Sequence, residues 1–268
     1  MTESWRMKAS TPTRVALTVA GSDSGGGAGM QADLKTFHTL GVFGTSAITC
    51  ITAQNPDRVS AVQPIEPRIV AEQIDRVFEA FPVRAAKTGM LYDARIIETA
   101  ASAFARRRFR NLVVDPVMVS SSGARLLKKD AISALAHELF PRAALVTPNL
   151  VEAEALCRQR IKTLLDLRDA ARVLSDHFGV PFLVKGGHLP GATRAVDVLW
   201  CGRRLHEFSL PRVRKIRTHG TGCVFSAAIA AHLALGCNLV EAVGRAKIFV
   251  TKAIRDTVRV GKYRTLKV

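Results

Sequence analysis

The chain has 268 residues, 48% of them hydrophobic, with 39 Lys and Arg against 22 Asp and Glu and a formal net charge of +17. This is enough apolar material for a full core but not for a membrane span: the nearest candidate, Val224 to Leu235, is shorter than the roughly 20 residues required and carries His232. From Cys201 onward fourteen Lys and Arg face three acidic residues, but neither Arg106–Arg110 nor Arg212–Arg217 lies in a nucleic-acid-binding motif, so the charge reads as a solvated basic surface.

Met1 to Arg14 lacks the apolar core of a signal peptide and reads as a polar tail, leaving 15–268 as one domain. Cys50, Cys157, Cys201, Cys223 and Cys237 show no metal-ligand spacing. An odd number of thiols without an export signal points to a reducing compartment, so the cytoplasm is the expected location.

Along the chain, β-branched runs alternate with segments of helical period, the pattern of a mostly parallel α/β sheet flanked by helices. Strands are expected at Val15–Ala20, Gly44–Ile51, Arg84–Thr88, Asn111–Asp115, Ala144–Thr147, Phe182–Lys185, Ala195–Trp200 and Leu205–Leu210. Helical stripes cover Ile69–Phe81, Leu164–Phe178 and Leu239–Val258, while Asn55–Pro67 and Leu189–Thr193 read as loops.

The unusual clusters follow strands, at the carboxyl rim where open α/β sheets bind ligands. The first, Gly21 to Gly29, has five glycines in nine residues and lets a substrate approach the backbone closely; Asp33 beyond it would aim a carboxylate at that substrate. It is not a Walker A loop, and Gly27-x-Gly29-x-x-Ala32 lacks the acidic residue a dinucleotide fingerprint requires. Asp115-Pro116 ends an apolar strand; proline forces a turn that would expose Asp115, as a Mg²⁺ ligand or as a turn residue. Asn149 and Glu152 have the spacing of a helix capping box, and Glu152 is equally suited to share a water-rich Mg²⁺ with Asp115. Lys185-Gly186-Gly187-His188 offers a lysine to a phosphate.

Thr218-His219-Gly220-Thr221-Gly222-Cys223 carries the most chemistry. Two glycines open directly into an apolar helix, so backbone N–H groups and the positive helix end converge where an oxyanion would sit. Cys223, in the first turn, is a thiol in the setting that favours a thiolate. His188 and His219 have no role assigned by spacing alone.

Together and in this order, these blocks resemble the ribokinase-like superfamily and, within it, the hydroxymethylpyrimidine/phosphomethylpyrimidine kinases of thiamine biosynthesis. The resemblance rests on Ala20–Phe37, Thr52–Asn55, Lys87–Leu91, Val114–Met118, Thr147–Ala153, Val184–His188 and Thr218–Cys223. It implies a three-layer α/β/α fold and ATP-dependent phosphorylation of hydroxymethylpyrimidine, then of its monophosphate. By that likeness Gly21, Asp33, Gln54 and Met90 hold the pyrimidine; Asp115 and Glu152 serve Mg²⁺; and Asn149, Lys185 and Thr218 bind the nucleotide. Gly220, Thr221 and Gly222 form the anion hole, and Cys223 stands where sugar kinases of the superfamily carry a catalytic aspartate. The family's dimeric habit implies a homodimer. Pyridoxal or pyridoxine is the alternative acceptor, and a non-catalytic nucleic-acid-binding protein on the same scaffold is the remote one. Relatives commonly end in a Gly-rich segment with Pro and His; here Val260–Val268 keeps only the glycine.

Overall fold

The computed structural model describes residues 13–118, 127, 131–213 and 219–268. A nine-stranded sheet organises them, in the order β3-β2-β1-β4-β5-β6-β7-β8-β9. Its strands are β1 (Val15–Asp23), β2 (Phe43–Asn55), β3 (Arg58–Pro64), β4 (Val83–Thr88), β5 (Leu112–Val114), β6 (Leu145–Val146), β7 (Phe182–Gly186), β8 (Arg194–Cys201) and β9 (Arg204–Pro211). The six strands from β2 to β7 run parallel, whereas β3, β8 and β9 pair antiparallel at the two edges.

Strand alternation creates the layers. Leu17, Val19, Leu112, Val114, Val146, Phe182 and Val184 face one side, against α2 (Pro67–Ala80), α3 (Ala94–Arg106), α4 (Ala131–Ala134), α5 (Leu150–Cys157) and α6 (Leu164–Phe178). Their neighbours Ala16, Val113, Leu145 and Leu183 face the other, against α1 (Gly29–Thr39), α7 (Thr221–Ala234) and α8 (Leu239–Arg255). A sheet apolar on both faces must be covered twice, which is the physical reason for three layers. α7 is buried from Val224 to Ala234, as its uninterrupted apolar sequence demands. Among the described residues no helix is long and apolar enough to cross a membrane.

Two segments differ from expectation. Residues read as the loop Asn55–Pro67 contain β3, folded back on β2 by a turn at Pro56-Asp57. The helix expected to reach Val258 ends at Arg255; Val258–Val260 (β10) and Tyr263–Thr265 (β11) then form a hairpin turning at Gly261. Periodicity missed both because short, two-sided polar strands have no buried face to mark them.

β2 lies on one side of β1 and β4 on the other, so the strand order reverses at β1/β4. That switch point opens a crevice at the carboxyl ends of the strands, where a ligand fits.

Candidate active site

The crevice is a cavity of about 1760 Å³ lined from both halves of the chain, including Gly21, Gln54, Met90, Asp115, Asn149, Glu152, Lys185 and Gly220–Cys223. Most of the residues singled out from sequence therefore share one space. Small-molecule sites typically occupy about 300–1,000 Å³, so this one has room for two ligands side by side.

One wall is apolar and narrow. Met90 packs on Cys50, with Val59, Val62, Tyr92 and Val117 behind them. Gly21 faces the same pair: a Cβ there would approach Cys50 Sγ to 2.7 Å. At the rim, Gln54 is pinned through its backbone to Ser24, which accepts from Gln54 N–H and donates to its carbonyl, each at 2.8 Å.

Asp33 is not on that wall. It is fully buried, accepting from Lys87 Nζ at 2.8 and 3.0 Å and from Thr18 Oγ1 at 2.7 Å. A lysine in the interior of an apolar strand requires a carboxylate, and Asp33 answers it beneath the cavity rather than facing substrate. Burial works against the Lys87 charge, but Asp33 outweighs it and holds the ammonium protonated above its ordinary range.

The opposite wall is charged. Asp115 is buried rather than exposed, because its N–H continues the ladder to Thr88 before the chain turns. Its Oδ1 accepts from Lys185 Nζ at 3.0 Å and its Oδ2 from Ser226 Oγ at 3.0 Å. Glu152 closes a capping box with Asn149, and its Oε1 also accepts from Met118 N–H at 3.1 Å. Burial, with Asp115 adding to it, holds Glu152 above the usual carboxylate range although Lys185 opposes the shift. Desolvation of Lys185 is likewise outweighed by Asp115 and Glu152, so it stays charged. Two carboxyl groups facing one ammonium form a donor set that suits a cation. Among the described residues no group of three or more His, Cys, Asp or Glu could hold a metal by itself, so such a cation would keep mostly water and substrate oxygens.

Between the walls stands the start of α7. Its N-cap Gly220 has φ +81° and no capping side chain. A Cβ there would overlap the Gly27 carbonyl, so both the turn and its contact with the glycine-rich loop require glycine. Gly222 lets Lys185 Nζ and Asp115 come up to the helix start, 3.4 and 3.8 Å from where a Cβ would lie. Thr218 lies outside the described residues.

Cys223 sits where the starts of α7 and α1 meet, near the Gly29 N–H. It is nevertheless not the low-pKa thiol expected. Burial pushes it up to about 11; Lys87 and the Gly29 N–H oppose the shift, while Asp33 and Asp115 add to it.

Sequence reading missed several partners. Asp23 accepts from Gly25, Gly27 and Ala28 N–H at 2.8, 3.2 and 2.8 Å, so the glycine-loop amides turn inward instead of toward a ligand. His219 bridges Asp23 and Gln54. Lys247 donates to Asp197 at 2.6 Å, and both line the cavity beside α8. The C-terminal hairpin crosses to the β2–β3 turn, where Tyr263 Oη donates to Asp57 at 2.5 Å and Lys262 pairs with the same carboxylate. Unlike Lys87, whose charge inside an apolar strand calls for a carboxylate, none of these had a local signal in the sequence.

A family model described as phosphomethylpyrimidine kinase matches residues 23–266. The chain belongs to the phosphomethylpyrimidine kinase family. A hydroxymethylpyrimidine/phosphomethylpyrimidine kinase of Synechococcus elongatus is 45% identical, over 92% of this chain and 94% of its own. A bifunctional thiamine biosynthesis protein of Geobacter sulfurreducens is 48% identical over 95% of this chain, which spans about half (52%) of that longer relative. Among solved structures, the phosphomethylpyrimidine kinase of Clostridium difficile superposes with TM-score 0.80 at 41% identity, covering 90% of this chain and all of that one. The pyridoxal kinase of Bacillus subtilis, solved with ADP, superposes with TM-score 0.87 at 37% identity, covering 95% and 97%. The fold of this phosphomethylpyrimidine kinase family member is thus the ribokinase-like three-layer architecture.

Proposed function

We propose that the chain transfers the γ-phosphoryl group of ATP to the hydroxymethyl group of hydroxymethylpyrimidine, and then a second to the monophosphate. The observation that carries this is the meeting in one cavity of a neutral aromatic-sized wall (Gly21, Gln54, Met90) and a phosphate-type wall (Lys185, Asp115, Glu152), with the α7 turn between them. The relatives named for both pyrimidine steps support the same acceptor.

Gln54 supplies amide donor and acceptor to the edge of the ring, and Met90 packs against its face. The N–H groups at the start of α7 steady the equatorial oxygens of the moving phosphoryl group, where charge develops. Lys185 neutralises the nucleotide phosphates. Asp115 and Glu152 would hold Mg²⁺, which when bound offsets polyphosphate charge; Ser226 and the capping box keep these two carboxylates in place. Cys223, as the thiolate fraction of a mostly protonated group, takes the hydroxymethyl proton. A cytoplasmic homodimer is the assembly that accompanies this reading.

Pyridoxal is the second reading, favoured by the close superposition on the Bacillus pyridoxal kinase. The test is ADP release with Mg²⁺ and ATP on hydroxymethylpyrimidine, its monophosphate and pyridoxal in parallel. Turnover on both pyrimidines is expected. Turnover on pyridoxal alone moves the protein to the second reading, and turnover on none refutes both.

A further inference from the structure

His219 Nε2 lies 3.1 Å from Asp23 Oδ2 and 3.0 Å from Gln54 Nε2. One ring nitrogen cannot serve both neighbours as they stand. Asp23 accepts from three backbone N–H groups, and its carboxyl stays below the usual range: burial opposes this, but His219 and the Ala28 and Gly25 amides outweigh it. A carboxylate only accepts, so Nε2 must carry the proton. With that proton in place, Nε2 cannot receive another from the Gln54 amide.

The other end of the amide has a matching conflict. Gln54 Oε1 is 3.2 Å from Thr52 Oγ1, whose single proton already goes to the Ser22 carbonyl at 2.8 Å. Exchanging the two ends of the amide removes both conflicts, and amide ends are distinguished only by such a network. Oε1 then accepts from His219 Nε2–H, shared with Asp23, and Nε2 donates to the Thr52 hydroxyl. The imidazole is held in register by Gly27, where a Cβ would reach its Cδ2 at 3.1 Å.

We propose that His219 is a positioning residue that fixes the Gln54 amide with Oε1 toward the imidazole and Nε2 toward Thr52, and so sets the order of donor and acceptor presented to the acceptor ring. This rests on the pyrimidine-kinase reading, which makes Gln54 the ring contact. Its consequence is selection of a 4-aminopyrimidine edge (amine donor beside ring acceptor) over the 4-oxo edge, where the two are reversed. Because His219 immediately precedes Gly220, ring recognition and the phosphoryl hole are built from adjoining residues.

The experiment is calorimetric binding of 4-amino-5-hydroxymethyl-2-methylpyrimidine and of its 4-oxo counterpart. The proteins are wild type, His219→Ala, Thr52→Val, Gln54→Ala and the Gln54→Ala/His219→Ala double variant. Wild type should prefer the amino compound by about tenfold or more, the scale of one reversed hydrogen-bonding pair. His219→Ala and Thr52→Val, each removing one anchor, should reduce that preference below about threefold with ATP binding changed less than about twofold. In the Gln54→Ala background, removing His219 should change nothing further. A preference that survives in both single variants, or losses that add in the double variant, overturns the role of His219 alone. Failure of wild type to bind the aminopyrimidine overturns the role and the proposed function together.

Discussion

The proposed role of Cys223 as proton acceptor, with its thiol raised to about 11, ties the reaction to pH in a defined direction. At pH 7.5 the thiolate fraction is on the order of 3 × 10⁻⁴, a free-energy gap of about 5 kcal/mol. A kinase turnover of about 1 s⁻¹ would then demand about 3 × 10³ s⁻¹ from the ionised form, a barrier of about 13 kcal/mol, well within enzymatic range. The sign follows directly. The active form is deprotonated and its pKa lies above the working range, so log kcat/KM should climb with a slope near one between pH 8 and 10. Lys185 and Lys87 are both held protonated above their ordinary range and keep their charge across this window. Cys223→Ala should lower kcat by about 10²–10⁴ with KM for the pyrimidine within about threefold, and should abolish the slope. Steady-state ADP release across the pH range measures both. A flat wild-type profile, or a slope that persists in Cys223→Ala, refutes the thiolate as proton acceptor.

Asp33→Ala should leave the Lys87 ammonium buried without its carboxylate, costing about 3–5 kcal/mol and lowering Tm by on the order of 10 °C in calorimetry; an unchanged Tm would show that the pair is not structural. Gly220→Ala should abolish turnover, because the new methyl must displace the Gly27 carbonyl from a backbone at φ +81°; normal kcat would contradict the close approach. Glu152→Gln should raise the Mg²⁺ concentration for half-maximal activity about tenfold or more, read by metal titration at fixed ATP, whereas an unaltered titration would confine Glu152 to capping. Asp57→Asn removes an exposed tether to Lys262 and Tyr263 and should leave the denaturant unfolding midpoint essentially unchanged; a clear drop would show that the tether is structural.

Much of this arrangement was legible in the sequence because it is local. Most parallel strands are short apolar runs, and the rim residues lie at or just beyond their carboxyl ends, as Asp115 follows Val114 and Lys185 stands near the end of β7. What stayed hidden is what distance in sequence conceals. Nothing near Asp33 announces Lys87, 54 residues away, and nothing near His219 announces Asp23, 196 residues away. The Cys223 thiol was misjudged for a related reason: the helix start is visible locally, but the burial and the carboxylates that oppose it come from elsewhere in the fold. The edge strand β3 and the C-terminal hairpin escaped because neither carries an alternating buried face.

The contact of Gly220 with the Gly27 carbonyl joins two segments that leave the ribosome far apart in time. The first glycine loop leaves the ribosome with β1, while the turn that seats against it is translated nearly 200 residues later. At typical elongation rates that is a delay of on the order of 10 to 40 s. Until that turn arrives, the glycine-rich loop lacks the backbone that seats against it and the cavity lacks the lining that α7 supplies. The cavity between the two halves of the chain is complete only once α7 is in place.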